Sequence, residues 1–288
     1  MSSTGVMTDT TTTSRDSSKQ TSVNGIDIAY TDVGTGPALV LLHGALASTG
    51  PRWAGSPVAH VDHLPRFAEH FRVIAPDTRG SGATIHDGPA SFDDLTDDVI
   101  GLIEALGLEH PHVAGFSEGG ATATLVTLRR PDLVGALVNH AGFDPFDPES
   151  PALQSLGPIF GGGPGATSAD PEAAERAFQS MGPPMADTFA TMKADYDDAQ
   201  GPGHWRTYLG QFFDRSAAPF GPTVDDLANL AVPTLFLTGD RDFFCSVEAA
   251  CTAYRTAPDA ELGIVPNTGH EITGQVIDLT IDFLERHR

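Results

Sequence analysis

Gly115-Phe116-Ser117-Glu118-Gly119-Gly120 is the stretch of this sequence best equipped for chemistry. It follows a short apolar run, Val113-Ala114, and opens a helix-like run over 121–128. Strand, Gly-x-Ser-x-Gly, helix is the context in which this pattern builds a nucleophile elbow. So tight a turn leaves no room for side chains two residues before or after the serine. Gly115 and Gly119 stand there, and Gly120 extends the clearance. Such a turn lifts Ser117 Oγ above the sheet, over a helix N-terminus that favours developing negative charge. The pattern alone fits a glycine-rich turn equally well, so its meaning rests on what accompanies it.

A serine hydroxyl is a poor nucleophile at neutral pH and requires an adjacent base. Histidine suits the task because it titrates near the working pH. A buried carboxylate then fixes the imidazole tautomer and stabilises the imidazolium that forms. Eleven histidines are present; His270 is distinguished by lying in a loop after a predicted strand, preceded by Asn267-Thr268-Gly269. Asp240 and Asp242 follow one predicted strand, and Asp144 follows the strand after the serine. All three aspartates are candidates for the acid.

These residues need elements to carry them. Val23-Asn24-Gly25-Ile26 predicts a tight hairpin turn, with Ile26, Ile28 and Tyr30 on one face of its second strand. The continuous apolar run 38–42 reads as a strand buried on both faces and ends in His43-Gly44-Ala45. A helix is expected around 63–70, then a strand over 71–75 ending in Pro76-Asp77-Thr78-Arg79-Gly80-Ser81-Gly82. Ser91 and Asp94 form a capping-box variant, behind which Leu95, Val99, Leu102, Ile103 and Leu106 repeat at helical spacing before Gly107. Further strands are predicted at 133–138, 233–237 and 261–265, and a last helix presents Ile277, Ile281 and Leu284 on one face. Alternating strand and helix implies an α/β fold with a mostly parallel sheet covered on both faces. Sites in such sheets lie at the carboxyl ends of the strands. His43, Asp77, Ser117, Asp144, Asp242 and His270 all fall there.

The interval 143–230 breaks the alternation. A Gly/Pro-rich stretch, 156–165, precedes helical patterns near 171–181, 184–199 and 203–215, which carry Phe178, Met181, Met185, Phe189, Met192, Trp205, Tyr208, Phe212 and Phe213. An insertion of this composition reads as a helical lid over the strand ends. Most of those side chains are expected to hold it to the core, and a minority to line a pocket.

The pieces His43-Gly44, Asp77 through Gly82, Gly115 through Gly120, Gly239-Asp240-Arg241-Asp242 and Gly269-His270 occur in this order, and together they resemble the α/β-hydrolase fold family. The resemblance covers the chain from about Thr21 to its end apart from the lid. It implies a core of 23–142 and 231–288, an inserted lid of 143–230, and a Ser–acid–His order. That order assigns Ser117 as nucleophile and His270 as general base. The family's Gly-x-x-Asp spacing selects Asp242 over Asp240 as the acid, with Asp144 its rival. The oxyanion hole is expected from the backbone amides of Ala45 and Glu118, whose side chains are free to vary. His43 is assigned a loop-shaping role and His140 none. Asp77 is expected to order its own loop through Arg79 or backbone amides.

The resemblance implies a serine hydrolase acting on a small uncharged ester, lactone or related acyl compound, with no metal or organic cofactor. Haloalkane dehalogenases and epoxide hydrolases of this fold carry aspartate where Ser117 stands. Perhydrolysis, acyl transfer and carbon–carbon bond hydrolysis use the same triad and stay open. So does a ligand-binding or signalling protein that keeps the triad but turns over slowly.

The chain has 288 residues, a net charge of −22 and only two lysines, Lys19 and Lys193. That charge argues against nucleic acid or an anionic membrane as a partner and leaves a small-molecule substrate; the oligomeric state is open. It suits either an acidic, arginine-preferring proteome or a high-salt habitat. No apolar run approaches the roughly 18 residues that span a bilayer. Residues 1–22 are Thr/Ser-rich without an apolar core, so a disordered tail and a cytoplasmic protein are expected. Cys245 and Cys251 read as free thiols.

Overall fold

The computed structural model describes residues 18–142, 168–217 and 221–288. Eight strands form one sheet: β1 (Ser18–Val23), β2 (Ile26–Val33), β3 (Ala38–Leu42), β4 (Arg72–Pro76), β5 (His112–Phe116), β6 (Leu137–His140), β7 (Thr234–Gly239) and β8 (Ala260–Val265), ordered β1-β2-β4-β3-β5-β6-β7-β8. β2 runs antiparallel to both β1 and β4, and every pairing from β4 to β8 is parallel.

The helices are α1 (Leu64–Ala68), α2 (Phe92–Ala105), α3 (Glu118–Arg129), α4 (Pro171–Ser180), α5 (Pro183–Gln200), α6 (His204–Ala217), α7 (Val247–Thr256) and α8 (Gly274–Arg286). The two-residue period of β3 divides them between the faces. Val40 and Leu42 pack with Val99, Leu102 and Ile103 of α2, Val126 of α3 and Ala253 of α7. Leu39 and Leu41 pack with Phe67 of α1 and Ile277, Ile281 and Leu284 of α8. Both faces are covered, which is why the parallel strands read as unbroken apolar runs.

Local signals place the elements well. Ser91 accepts from the Asp94 amide and the Asp94 carboxylate accepts from the Ser91 amide, so the capping box is complete. Asn24 (φ 51°) and Gly25 (φ 80°) make the hairpin turn. Two predictions shift. β1 starts at Ser18, inside the stretch expected to be tail. Its polar residues carry no strand signature, and pairing with β2, including the Lys19–Asp32 ion pair, sets its extent. β6 occupies 137–140 rather than 133–138, because the Gly135 amide is spent on the Pro111 carbonyl in the turn before it.

Between β6 and β7, α4–α6 form a third apolar cluster. Phe178, Phe189, Met192, Trp205, Tyr208, Phe212 and Phe213 are buried there with Leu46, Ala47 and Trp53 from the loop after β3. Met181 is instead 45% exposed. Polar side chains tie these helices to the loops at the strand ends. Tyr196 donates to the Ala47 carbonyl (2.9 Å), Ser48 to Asp195 (2.6 Å), Gln200 to the carbonyls of Gly80 and Gly82, and Gln211 to those of His86 and Gly88. The 156–165 stretch lies outside the described residues. Cys245 and Cys251 form no disulfide. No described helix is long and apolar enough to cross a membrane.

Candidate active site

Ser117 sits at the β5–α3 junction with φ 54° and ψ −121°, a conformation L residues rarely adopt and one that stores strain. Crowding explains why the turn needs glycine: a Cβ on Gly115 would lie 2.1 Å from the Gly119 carbonyl oxygen, and one on Gly119 2.5 Å from that of His43. The Ser117 amide donates to the His140 carbonyl (2.8 Å), so β5 remains tied to β6 up to the serine. The segment after β3 passes beside it, since a Cβ on Gly44 would be 3.3 Å from Ser117 Cβ.

His270 and Asp242 meet from the loops after β8 and β7. The His270 Nδ1 to Asp242 Oδ2 distance is 2.9 Å, with the Asp242 side chain fully buried and that of His270 12% exposed. Asp242 Oδ1 accepts from the amides of Phe244 (2.8 Å) and Cys245 (2.9 Å). With Asp242 ionised, Nδ1 carries a proton and Nε2 is free to take one. The His270 ring packs against Phe116, the residue before Ser117, at 4.7 Å between centroids, and against Phe244 at 4.8 Å. The three residues selected by sequence therefore converge on the carboxyl ends of β5, β7 and β8. Asp240 instead accepts from the Thr268 amide (3.2 Å), bracing the loop that carries His270. Asp144 lies outside the described residues.

The loop after β3 is held by His43. Its Nδ1 pairs with the Gly44 carbonyl (2.7 Å), and its Nε2 accepts from the Thr78 amide (3.1 Å). Because Gly44 O and Ala45 N–H belong to one trans peptide, gripping the oxygen aims the Ala45 amide the opposite way. Asp77 accepts from the amide and hydroxyl of Thr49 and from the Ala83 amide. Arg79 is not its partner: the guanidinium pairs with Asp98 of α2 at 2.7 and 2.8 Å.

Glu118 departs most from expectation. Its side chain was expected to be free to vary, yet it is buried in a two-bond pair with Arg215 of α6, at 2.7 and 3.1 Å. Arg215 Nη2 also donates to the Tyr208 hydroxyl (3.1 Å), which accepts from the Leu46 amide (2.8 Å). Burial pushes the Tyr208 phenol up to about 12, with the Glu118 carboxylate the next cause, so it stays neutral. Burial alone would weaken the charge on Arg215, but the Glu118 carboxylate more than reverses that. A signal for this network existed. A carboxylate at the first position of a buried helix needs a buried cation, and Tyr208, Gln211, Phe212 and Arg215 lie on one face of α6 by their spacing.

His140 is buried with neither ring nitrogen hydrogen-bonded among the described residues. Its ring, like that of His270, packs on Phe116, at 4.8 Å between centroids. Burial, with His270 the second cause, holds its pKa well below 6.5. Among the described residues no group of three or more His, Cys, Asp or Glu is arranged to hold a metal ion.

Comparison with known proteins agrees with this architecture. The chain is 26% identical over 286 residues to a 2-hydroxy-6-oxo-6-phenylhexa-2,4-dienoate hydrolase of Burkholderia cepacia, covering 89% of this chain and 91% of that one. It is 35% identical over 144 residues to epoxide hydrolase 3 of Siraitia grosvenorii, covering 48% of this chain and 43% of the relative. The chain thus spans less than half the length of the first curated relatives it matches. Among solved structures, the meta-cleavage product hydrolase of Pseudomonas fluorescens superposes with a TM-score of 0.73 at 22% identity, covering 94% of this chain and 98% of the other. The family model described as the alpha/beta hydrolase fold matches residues 37–273, and the chain belongs to that family.

Proposed function

We propose that this hydrolase of the α/β fold cleaves small uncharged esters, lactones or related acyl compounds through an acyl-enzyme on Ser117. The observation that carries the reading is the buried Asp242 carboxylate bonded to His270 Nδ1, with Ser117 on its strained turn at the end of β5 and the His270 ring packed against Phe116, the residue before it. His270 Nε2 takes the Ser117 hydroxyl proton as Oγ bonds to the carbonyl carbon. The carbonyl oxygen becomes an oxyanion received by the Ala45 and Glu118 amides. The tetrahedral intermediate collapses, the carbon–oxygen bond to the leaving group breaks, and His270 returns the proton to the departing alcohol. A water molecule then repeats the sequence: its proton goes to His270, its oxygen bonds to the acyl carbon, and the acid leaves as Ser117 recovers its hydrogen. Asp242 holds His270 in the tautomer each step requires. The helices α4–α6 serve as the lid over this site.

Carbon–carbon bond hydrolysis is a second reading, favoured by the near full-length match to the dienoate hydrolase. It needs the same serine and histidine, with a carbon leaving group protonated in place of an alcohol.

A fluorophosphonate probe, followed by intact mass and peptide mapping, tests the shared step. Labelling at Ser117 that vanishes in Ser117→Ala is the expected result, after which ester, lactone and vinylogous diketone panels separate the two readings. A folded wild type that resists labelling excludes both and leaves a ligand-binding protein that retains the residues without the reactivity.

A further inference from the structure

The buried chain Glu118–Arg215–Tyr208–Leu46 ties the start of α3 to the loop after β3 through α6, in addition to the direct packing of those two segments. Glu118 begins α3 directly after the nucleophile, and Leu46 directly follows Ala45. Both are gripped by α6, from positions 97 and 162 residues away in sequence. We propose that Arg215 and Tyr208 are positioning residues that set the two oxyanion amides from the helical layer above them. This deepens the acyl-transfer reading and rests on it.

The peptide units around the Ala45 amide are held from both sides. One side is fixed by His43, whose Nδ1 holds the Gly44 carbonyl of the same peptide unit. The other side is fixed by Tyr208, whose hydroxyl holds the next amide, Leu46 N–H. Leu46 sits at φ 66°, in the left-handed region where a branched residue is strained, so this bond opposes relaxation of the loop. The second amide, of Glu118, belongs to a residue whose carboxylate is clamped by two parallel bonds from Arg215, a geometry that fixes direction as well as distance. Stacking of the Arg215 guanidinium 5.1 Å from Phe212 and 5.2 Å from Tyr208 leaves it little freedom.

Charge adds a second effect. An unpaired carboxylate one residue from the nucleophile would oppose a developing oxyanion. Arg215 cancels that charge in a buried setting where it is poorly screened. Oxyanion stabilisation depends on donors preorganised at the place where charge develops, so loosening this network acts on turnover and not on ground-state binding.

The test uses p-nitrophenyl acetate with wild type, Tyr208→Phe, Arg215→Met and the double variant Glu118→Gln/Arg215→Met. Wild-type labelling of Ser117 by the fluorophosphonate is verified first. Tyr208→Phe is expected to lower kcat by about 10-fold with KM within about twofold, because one preorganising bond is lost while both catalytic amides remain. Arg215→Met is expected to lower kcat by about 10²-fold, and the double variant to regain at least about 10-fold of that by removing the stranded charge. If Arg215→Met fails to fold, Tyr208→Phe, which removes a single oxygen atom, decides. Unchanged kcat in Tyr208→Phe, or losses carried entirely by KM, overturns the proposal while leaving the hydrolase intact. An unlabelled wild type overturns the hydrolase reading and this proposal with it.

Discussion

The two halves of the candidate site are built on opposite plans. The acid–base half is local: Asp242 and His270 lie 28 residues apart on neighbouring strand ends, and Asp242 Oδ1 is held by amides two and three residues downstream. The nucleophile half is non-local, with Glu118 and Leu46 held by side chains of α6 far along the chain. Backbone amides orient the first half and a buried ion pair the second. The difference teaches where each is fragile. Damage to the first half should spoil proton transfer and spare the fold, whereas damage to the second should reach stability as well.

The largest expected effect follows from Asp242→Asn. Oδ1 accepts two amide protons, so the asparagine carbonyl must occupy that position and turn its NH2 toward His270 Nδ1. Nδ1 must then accept, which puts the imidazole proton on Nε2 and leaves no base for Ser117. A fall in kcat of about 10⁴-fold is expected, as a reversed tautomer produces in a serine–histidine–aspartate site. Steady-state ester hydrolysis measures the fall, and urea unfolding should find stability little changed. Retention of more than a tenth of wild-type kcat would argue that another carboxylate serves His270.

Arg215→Met is expected to do less to any single step but more to the fold. Removing one partner of a buried ion pair leaves an uncompensated charge and costs about 3–5 kcal/mol, whereas replacing both partners is often near neutral. Urea unfolding of Arg215→Met and of Glu118→Gln/Arg215→Met should therefore separate, the double variant being the more stable. Equal stability would remove the contrast between the two halves.

The same contrast explains what was legible in the sequence. Ser117, Asp242 and His270 could be chosen because each stands in a short motif whose spacing is dictated by a turn or strand end. The mostly parallel sheet followed from the alternation of apolar strands with helices, and the Ser91 cap from four residues. Arg215 escaped because its role depends on a partner 97 residues away: its place on the face of α6 with Tyr208 and Phe212 marks it off from the surface residue Arg206, but does not say which carboxylate it meets. Of the two partners expected for Asp77, the backbone amides serve, from Thr49 and Ala83, while Arg79 turns to Asp98 of α2, a choice the local sequence does not decide. The hairpin at Asn24-Gly25 was legible, but the reach of β1 back to Ser18 was not, because polar residues become a strand only through pairing.

His140 lies between the halves and allows a finer test of how they are coupled. Phe116 is flanked by the rings of His140 and His270, at 4.8 and 4.7 Å. Burial first, and then His270, keeps His140 neutral in the folded chain far below pH 6.5, while the unfolded chain protonates it near that value. Between pH 6.5 and the depressed folded value, the unfolded state binds one proton more than the native state. Stability must then rise with pH across that window and be lost as pH falls through it. In His140→Leu this proton is absent, so the slope of unfolding free energy against pH should shrink by about 1.4 kcal/mol per pH unit. His112, lowered to about 4 chiefly by its own burial, contributes equally to wild type and variant and cancels in the difference. Urea unfolding at half-unit intervals from pH 4.5 to 6.5 reads that difference. Parallel slopes would mean that His140 takes up its proton in the folded state, with the charge accommodated beside Phe116 at the centre of the site.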